Sequence, residues 1–96
     1  MRNALNVGTL VSLPCEIMDG AISNEKFVKC DLGDFILEGA IPNDFTDINE
    51  KRVIAVVYEL MQNMLTLYFN GDIFQPGNPV TISRKIIEEK GKIVDS

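Results

Sequence analysis

The chain has 96 residues, 46% of them apolar and 24% charged, which is the mix of one folded globular domain running over residues 1–96. That composition excludes a disordered tail, a collagen-like fibre and a low-complexity segment, and the longest apolar run, Val53 to Tyr58, is far too short to span a bilayer. Fourteen acids against nine bases give a net charge of −5 with no His, so the chain lacks the overall basic footprint of a nucleic-acid binder.

The N-terminus carries one cation, Arg2, and no long apolar stretch, so no secretory signal is expected there. Two cysteines, Cys15 and Cys30, are too few for a disulfide scaffold. Together these features place the chain in a reducing cytoplasm, with both thiols acting as small core residues.

From Val7 the period is two. Val7, Thr9, Val11, Leu13, Cys15 and Ile17 share one face of a long strand. Pro14 within it should sit at a bulge or with its missing N–H turned away from a neighbour. Residues 19–25 form a loop, Lys26 to Leu32 a second strand and Phe35 to Ile41 a third. Pairing the first two strands so that Glu16 meets Lys29 and Asp19 meets Lys26 also brings Ile17 to Val28, Cys15 to Cys30 and Leu13 to Leu32. Inward residues then face inward residues, and two opposite-charge pairs form. Gly33-Asp34 fits a type II′ turn with Gly first, setting Cys30 against Leu37 and Lys29 against Glu38.

Residues 42–50 are polar and turn-rich. Arg52 to Leu60 is crowded with Val, Ile and Tyr, which favours a strand over the helix that the spacing of Val53, Val57, Leu60 and Met64 would also allow. Gln62-Asn63 turns the chain into a strand over Met64 to Phe69. Unbroken alternation pairs Leu60 with Leu65, Tyr58 with Leu67 and Val56 with Phe69 on the inside. Glu59 then meets Thr66, and Val57 meets Tyr68, on the outside. Asn70-Gly71 is a hairpin signal, and Gln75-Pro76-Gly77-Asn78 fits a type II turn. Val80 to Ser83 is a short strand. Ser83 caps one or two helical turns through Lys90, and residues 91–96 form a frayed tail.

These elements predict an all-β fold. Five or six short strands and a short C-terminal helical turn resemble the SH3-like small barrel in strand count and spacing. An OB-like barrel is the alternative, as is an α+β fold if residues 47–62 are helical.

Catalytic chemistry has few candidates. No His is present to act as a base, no Ser sits in a G-x-S-x-G elbow, and no glycine-rich loop is spaced to cradle phosphate. Cys15 and Cys30 lack partners for a zinc set. Asp44, Asp47 and Glu50 lack the spacing and glycine of a calcium loop. No enzyme activity, metal or cofactor is expected.

The outer surface is more informative. In the register above Met18, Phe27, Ile36, Val53, Val57, Tyr68 and Ile73 point away from the core, and a contiguous outward apolar patch marks an interface. The C-terminal residues Ile86, Ile87, Ile93 and Val94 are the competing cover for that face. Six acids between Cys30 and Glu50, with no Lys or Arg among them, suit a partner protein with a basic surface. The sequence therefore reads as a non-catalytic protein–protein interaction module: a small acidic cytoplasmic accessory, regulatory or immunity-type protein, or one that binds a second copy of itself. Its contact residues would be Phe27, Ile36, Val57, Tyr68, Asp44, Asp47 and Glu50. The alternative is a small barrel binding single-stranded nucleic acid through Phe27, Tyr68, Lys26 and Lys29, although Glu16, Glu38 and Glu59 are interleaved there and would repel phosphates. No membrane partner is expected.

Overall fold

The computed structural model describes residues 5–20 and 23–94, so Ala21 and Ile22 of the first loop and residues 95–96 of the expected tail lie outside it. The fold is all-β with one short C-terminal helix. In chain order the strands begin with β1 (Leu10–Pro14), β2 (Glu16–Asp19), β3 (Glu25–Asp31) and β4 (Ile36–Pro42). A 3-10 turn at Asn43–Phe45 leads into β5 (Thr46–Asp47), β6 (Arg52–Leu60) and β7 (Met64–Phe69). Then come β8 (Asp72–Gln75), β9 (Val80–Ser83), helix α1 (Arg84–Lys90) and β10 (Lys92–Ile93). The segment around Arg52–Leu60 is a strand, so the α+β alternative is set aside.

Pairing groups the strands into two sheets. One has the order β10-β1-β6-β7-β9, with β5 also on β6, and the other the order β2-β3-β4-β8. They share one core, in which Val11, Leu13, Val53, Val57, Leu65, Leu67 and Phe69 of the first sheet meet Val28, Cys30, Leu37 and Ile41 of the second. The first long strand of the sequence is split between the sheets. Val7 stands 64% exposed in a turn before β1, with the Thr9 N–H donating to the Asn6 carbonyl at 3.0 Å. Up to Pro14 the strand pairs with β6, and the Cys15 N–H donates to the Lys51 carbonyl at 2.9 Å. From Glu16 it pairs with β3 in the expected register: Glu16 with Lys29, Ile17 with Val28 and Asp19 with Lys26. Leu13 therefore faces Val53 and not Leu32. Because the Cys15 N–H points at β6, the missing N–H of Pro14 points the other way, beyond the last residue that β10 reaches.

The β3–β4 hairpin forms as expected: Cys30 meets Leu37, Lys29 meets Glu38, and the Leu32 N–H closes the turn on the Phe35 carbonyl at 3.0 Å. Gly33 supplies the positive φ, 92°, that the first turn position requires.

The β6–β7 hairpin starts in the expected register, with Leu60 opposite Leu65 and Glu59 opposite Thr66. A bulge at Tyr58 then moves every later residue by one, so Val57 meets Leu67, Val56 meets Tyr68 and Ala55 meets Phe69. Val57 and Val53, expected outside, are buried, while Tyr58, expected inside, is 63% exposed. The physical gain is clear: three small apolar side chains enter the core, and the phenol, which would need a buried hydrogen-bond partner, stays in water. Thr66 was also expected outside, but it is buried on the outer face, where its hydroxyl lies 2.9 Å from that of Thr81.

Three further expectations change. Asn70-Gly71 does not close a hairpin: β7 pairs with β9, and the chain crosses to the other sheet, where β8 pairs with β4. A Cβ on Gly71 would collide with the Ala40 carbonyl, so the crossing demands glycine at that point. Residues 75–78 form an open bend rather than a type II turn, with cis peptides at Gln75–Pro76 and Asn78–Pro79. Here the Asn78 side chain bonds to Phe69 instead of leaving the turn to the backbone.

The tail expected to fray instead forms β10, pairing Ile93 with Val11 and Lys92 with Ser12, and the Val94 N–H donates to the Leu10 carbonyl at 2.9 Å. Ser83 caps α1 as expected, its hydroxyl accepting from the Lys85 N–H at 3.2 Å. Ile87 of that helix goes into the shared core rather than over the outer face. No helix among the described residues is long and apolar enough to cross a membrane.

Candidate functional site

The outer face of the six-stranded sheet carries an apolar row running across three strands: Leu10 on β1, Val56 on β6 and Tyr68 on β7 are directly paired. Ile54 stands two residues along β6. Phe45 reaches in from the 3-10 turn, because β5 is held on β6 by the Thr46–Val53 and Asp47–Arg52 pairs. These side chains, with Asn70, enclose a depression of about 300 Å³ that is open on one side. Tyr68 is 43% exposed at its lip.

Acidic residues flank Phe45 in the chain. Asp44 lies in the same 3-10 turn as Phe45 and is exposed. Asp47 is also exposed, and its carboxylate accepts the Glu50 N–H at 3.0 Å, which shapes the loop. Glu50 lies 3.9 Å from the Lys92 ammonium, so the acidic stretch has a neutralising neighbour that its own sequence does not show. Arg52, paired in the ladder with Asp47, turns its guanidinium elsewhere. Its Nε donates to Ser12 Oγ at 2.8 Å, and its Nη2 donates to the carbonyls of Ser12 and Lys90 at 2.9 and 2.6 Å.

The outer face of the four-stranded sheet holds a separate apolar stripe. Met18 pairs with Phe27, and Phe27 with the small Ala40. The β4–β8 ladder shifts between Gly39, opposite Ile73, and Glu38, opposite Gln75. The extra residue is Phe74, whose ring meets that of Phe27 edge-on with centroids 6.1 Å apart. One row further on, Glu16, Lys29, Glu38 and Gln75 run across the same face, and Gln75 Nε2 donates to the Glu38 carboxylate at 3.0 Å. At the rim, Lys26 and Asp19 form a 2.9 Å ion pair, which holds the Asp19 carboxyl below its ordinary range.

The residues expected to act together are thus divided. Tyr68 lines the depression; Asp44 precedes and Asp47 follows its wall residue Phe45 in the chain, and Glu50 comes in the loop beyond. Phe27 lies on the opposite sheet, and Ile36, 40% exposed, lies at the start of β4 beside a second cleft. Val57 is in the core and is no contact residue. Ile73, also expected outside, packs against the core. Sequence reasoning missed Leu10, Phe45, Ile54, Val56 and Phe74. Two bulges hid Val56 and Phe74, and only the β5–β6 pairing brings Phe45 over the sheet.

Among the described residues no three His, Cys, Asp or Glu side chains gather to hold a metal ion. No family model matches the chain, and neither a curated protein nor a solved structure matches it.

Proposed function

We propose that this chain is a non-catalytic protein-binding module that works in the cytoplasm as an accessory, regulatory or immunity-type protein. Its docking face is the depression on the six-stranded sheet. The observation that carries this reading is the coincidence of an apolar floor, Leu10, Ile54, Val56 and Tyr68, with a 3-10 turn that contributes Phe45 to the wall and holds the exposed Asp44 next to it in the chain. An apolar centre excludes water and supplies affinity, while rim charges select and steer the partner. The sign of the rim calls for a partner with a basic surface around an apolar anchor.

The test uses wild type beside Tyr68→Glu, with circular dichroism to show that both are folded. A partner retained by wild type and released by Tyr68→Glu supports the reading. A partner held equally by both moves the docking face elsewhere.

Single-stranded nucleic acid is the second reading, and the Phe27–Phe74 pair beside Lys29 is the observation behind it. Exposed rings are the platforms on which bases stack. Glu16 and Glu38 flank Lys29 in the same row, so a phosphate backbone following the rings would meet two carboxylates for each ammonium. A heparin column at low salt separates the two: flow-through agrees with the protein-binding module, and retention with nucleic acid.

A further inference from the structure

The two cysteines meet at the corner where the first strand changes sheets. Cys15 sits between the last residue paired to β6 and the first paired to β3, half-buried, with its backbone tied to Lys51. Cys30 is the next residue along β3 from Lys29, the partner of Glu16, and its side chain is fully buried in the shared core. Both thiols are free, and continuing the Glu16–Lys29 register by one residue sets Cys15 opposite Cys30. Cys15 also lines an open cleft of about 620 Å³ together with Pro14, Glu16, Lys29, Asp31, Ile36 and Lys90. Cys15 therefore borders an open cleft, whereas Cys30, beside it, is fully buried.

We propose that Cys15 and Cys30 form a reversible dithiol–disulfide site, in which Cys15 meets a small-molecule disulfide of the glutathione class and Cys30 resolves the adduct. In the first step the Cys15 thiolate attacks one sulfur of the small disulfide. A Cys15–S–S–R bond forms, the R–S–S–R bond breaks, and R–S⁻ leaves and takes up a proton. In the second step the Cys30 sulfur loses its proton to solvent and attacks the Cys15 sulfur, expelling the second R–S⁻. The protein loses two protons and two electrons, and the small disulfide is reduced to two thiols. Excess thiol reverses both steps.

The surroundings divide the roles in the same way. The neighbouring Cys30 thiol and the Arg52 charge favour the thiolate at Cys15, whereas hydrogen bonding with Cys15, then burial, then the Cys15 charge push the Cys30 thiol far up. Once Cys15 is capped by the small thiol its negative charge is gone, so that part of the barrier to ionising Cys30 is removed at the step that needs it, while burial remains. The new bond would tie the corner between the sheets to the middle of the four-stranded one.

The test is mass spectrometry on the intact native chain after incubation with oxidised glutathione. Wild type should lose two hydrogens without retaining an adduct, and peptide mapping should show a Cys15–Cys30 bond that dithiothreitol reverses. Cys30→Ser, with Cys30→Ala as a second variant, should stop at a single glutathione adduct on Cys15. In untreated native protein, iodoacetamide should alkylate Cys15 on the order of tenfold faster than Cys30. A stable adduct on wild type, first attack at Cys30, or native thiols that stay unreacted while the urea-unfolded chain reacts would each overturn the proposal.

Discussion

Asn78 shows how much a single side chain can hold. Its Oδ1 accepts the Phe69 N–H at 2.9 Å, and its Nδ2 donates to the Phe69 carbonyl at 2.6 Å and to the Gly71 carbonyl at 3.4 Å. The amide thus imitates a strand residue and extends the β7–β9 ladder past Val80, where Pro79 has no N–H to offer. Phe69 is the largest fully buried side chain, so its peptide groups have little water to fall back on. Asn78→Ala should cost about 2 kcal/mol in urea denaturation, the price of leaving part-buried peptide groups unpaired. Asp19 works at the surface and answers to pH. Its folded carboxyl is held below the ordinary value of 3.8 by Lys26, so its contribution is fully present above that value and is lost as pH falls through the lower, folded one. Wild type should therefore lose stability relative to Asp19→Asn in acid melts below about pH 4, with the difference shrinking in high salt.

At the scale of elements, the bulge at Tyr58 decides which residues of β6 are core. Val57→Lys would bury an ammonium against Leu67 and should destabilise by about 4 kcal/mol or prevent folding. Tyr58→Lys, one residue along, should stay within about 0.5 kcal/mol of wild type. Thermal melts of the pair distinguish the bulged register from the unbroken one, which predicts the reverse order. Most of the strand content was legible in the sequence, because alternation, turn residues and charge pairing agreed with one another. Glu16–Lys29, Asp19–Lys26, the Gly33-Asp34 turn, the Gln62-Asn63 turn and the Ser83 cap all rest on short-range chemistry. What was not legible depends on distant parts of the chain. Nothing within Arg52–Leu60 announces an extra residue at Tyr58, because the choice is made by which side chains the opposite sheet can accommodate. Asn70-Gly71 has the residues of a hairpin turn, but β9 takes the place beside β7 that β8 would need. The docking depression was only half visible for the same reason: Tyr68 and Asp44 can be picked from a local pattern, whereas Phe45 enters only through the pairing of β5.

For the molecule as a whole, charge is distributed to one purpose in the proposed function. Asp44 and Asp47 stand exposed on either side of Phe45 in the chain, while Glu50 is partly offset by Lys92. Reversing both aspartates to Lys should slow association with a basic partner by roughly tenfold at low salt, and much less at 1 M, where the Debye length shrinks to about 3 Å. Dissociation should hardly change, because rim charges act mainly on encounter. Surface plasmon kinetics over a salt series reads both rates; an unchanged on-rate at low salt would reduce these acids to a solubilising surface.

The short strand β10 bears on how the molecule is made. β1 lies between β6 and β10, so its neighbours come from the middle and from the far end of the described chain. A ribosome delivers β2, β3 and β4 early, and short connections let them zip together at once. β1 emerges before all of them yet has no partner until Arg52 to Val56 have been made, and its other edge stays open until Lys92 to Val94 arrive. During that interval Leu10 to Leu13 offer an unpaired, largely apolar edge to any other nascent copy nearby. The segment that closes this edge is made long after β1, so the hazard of self-association depends on the pace of translation as well as on the finished surface.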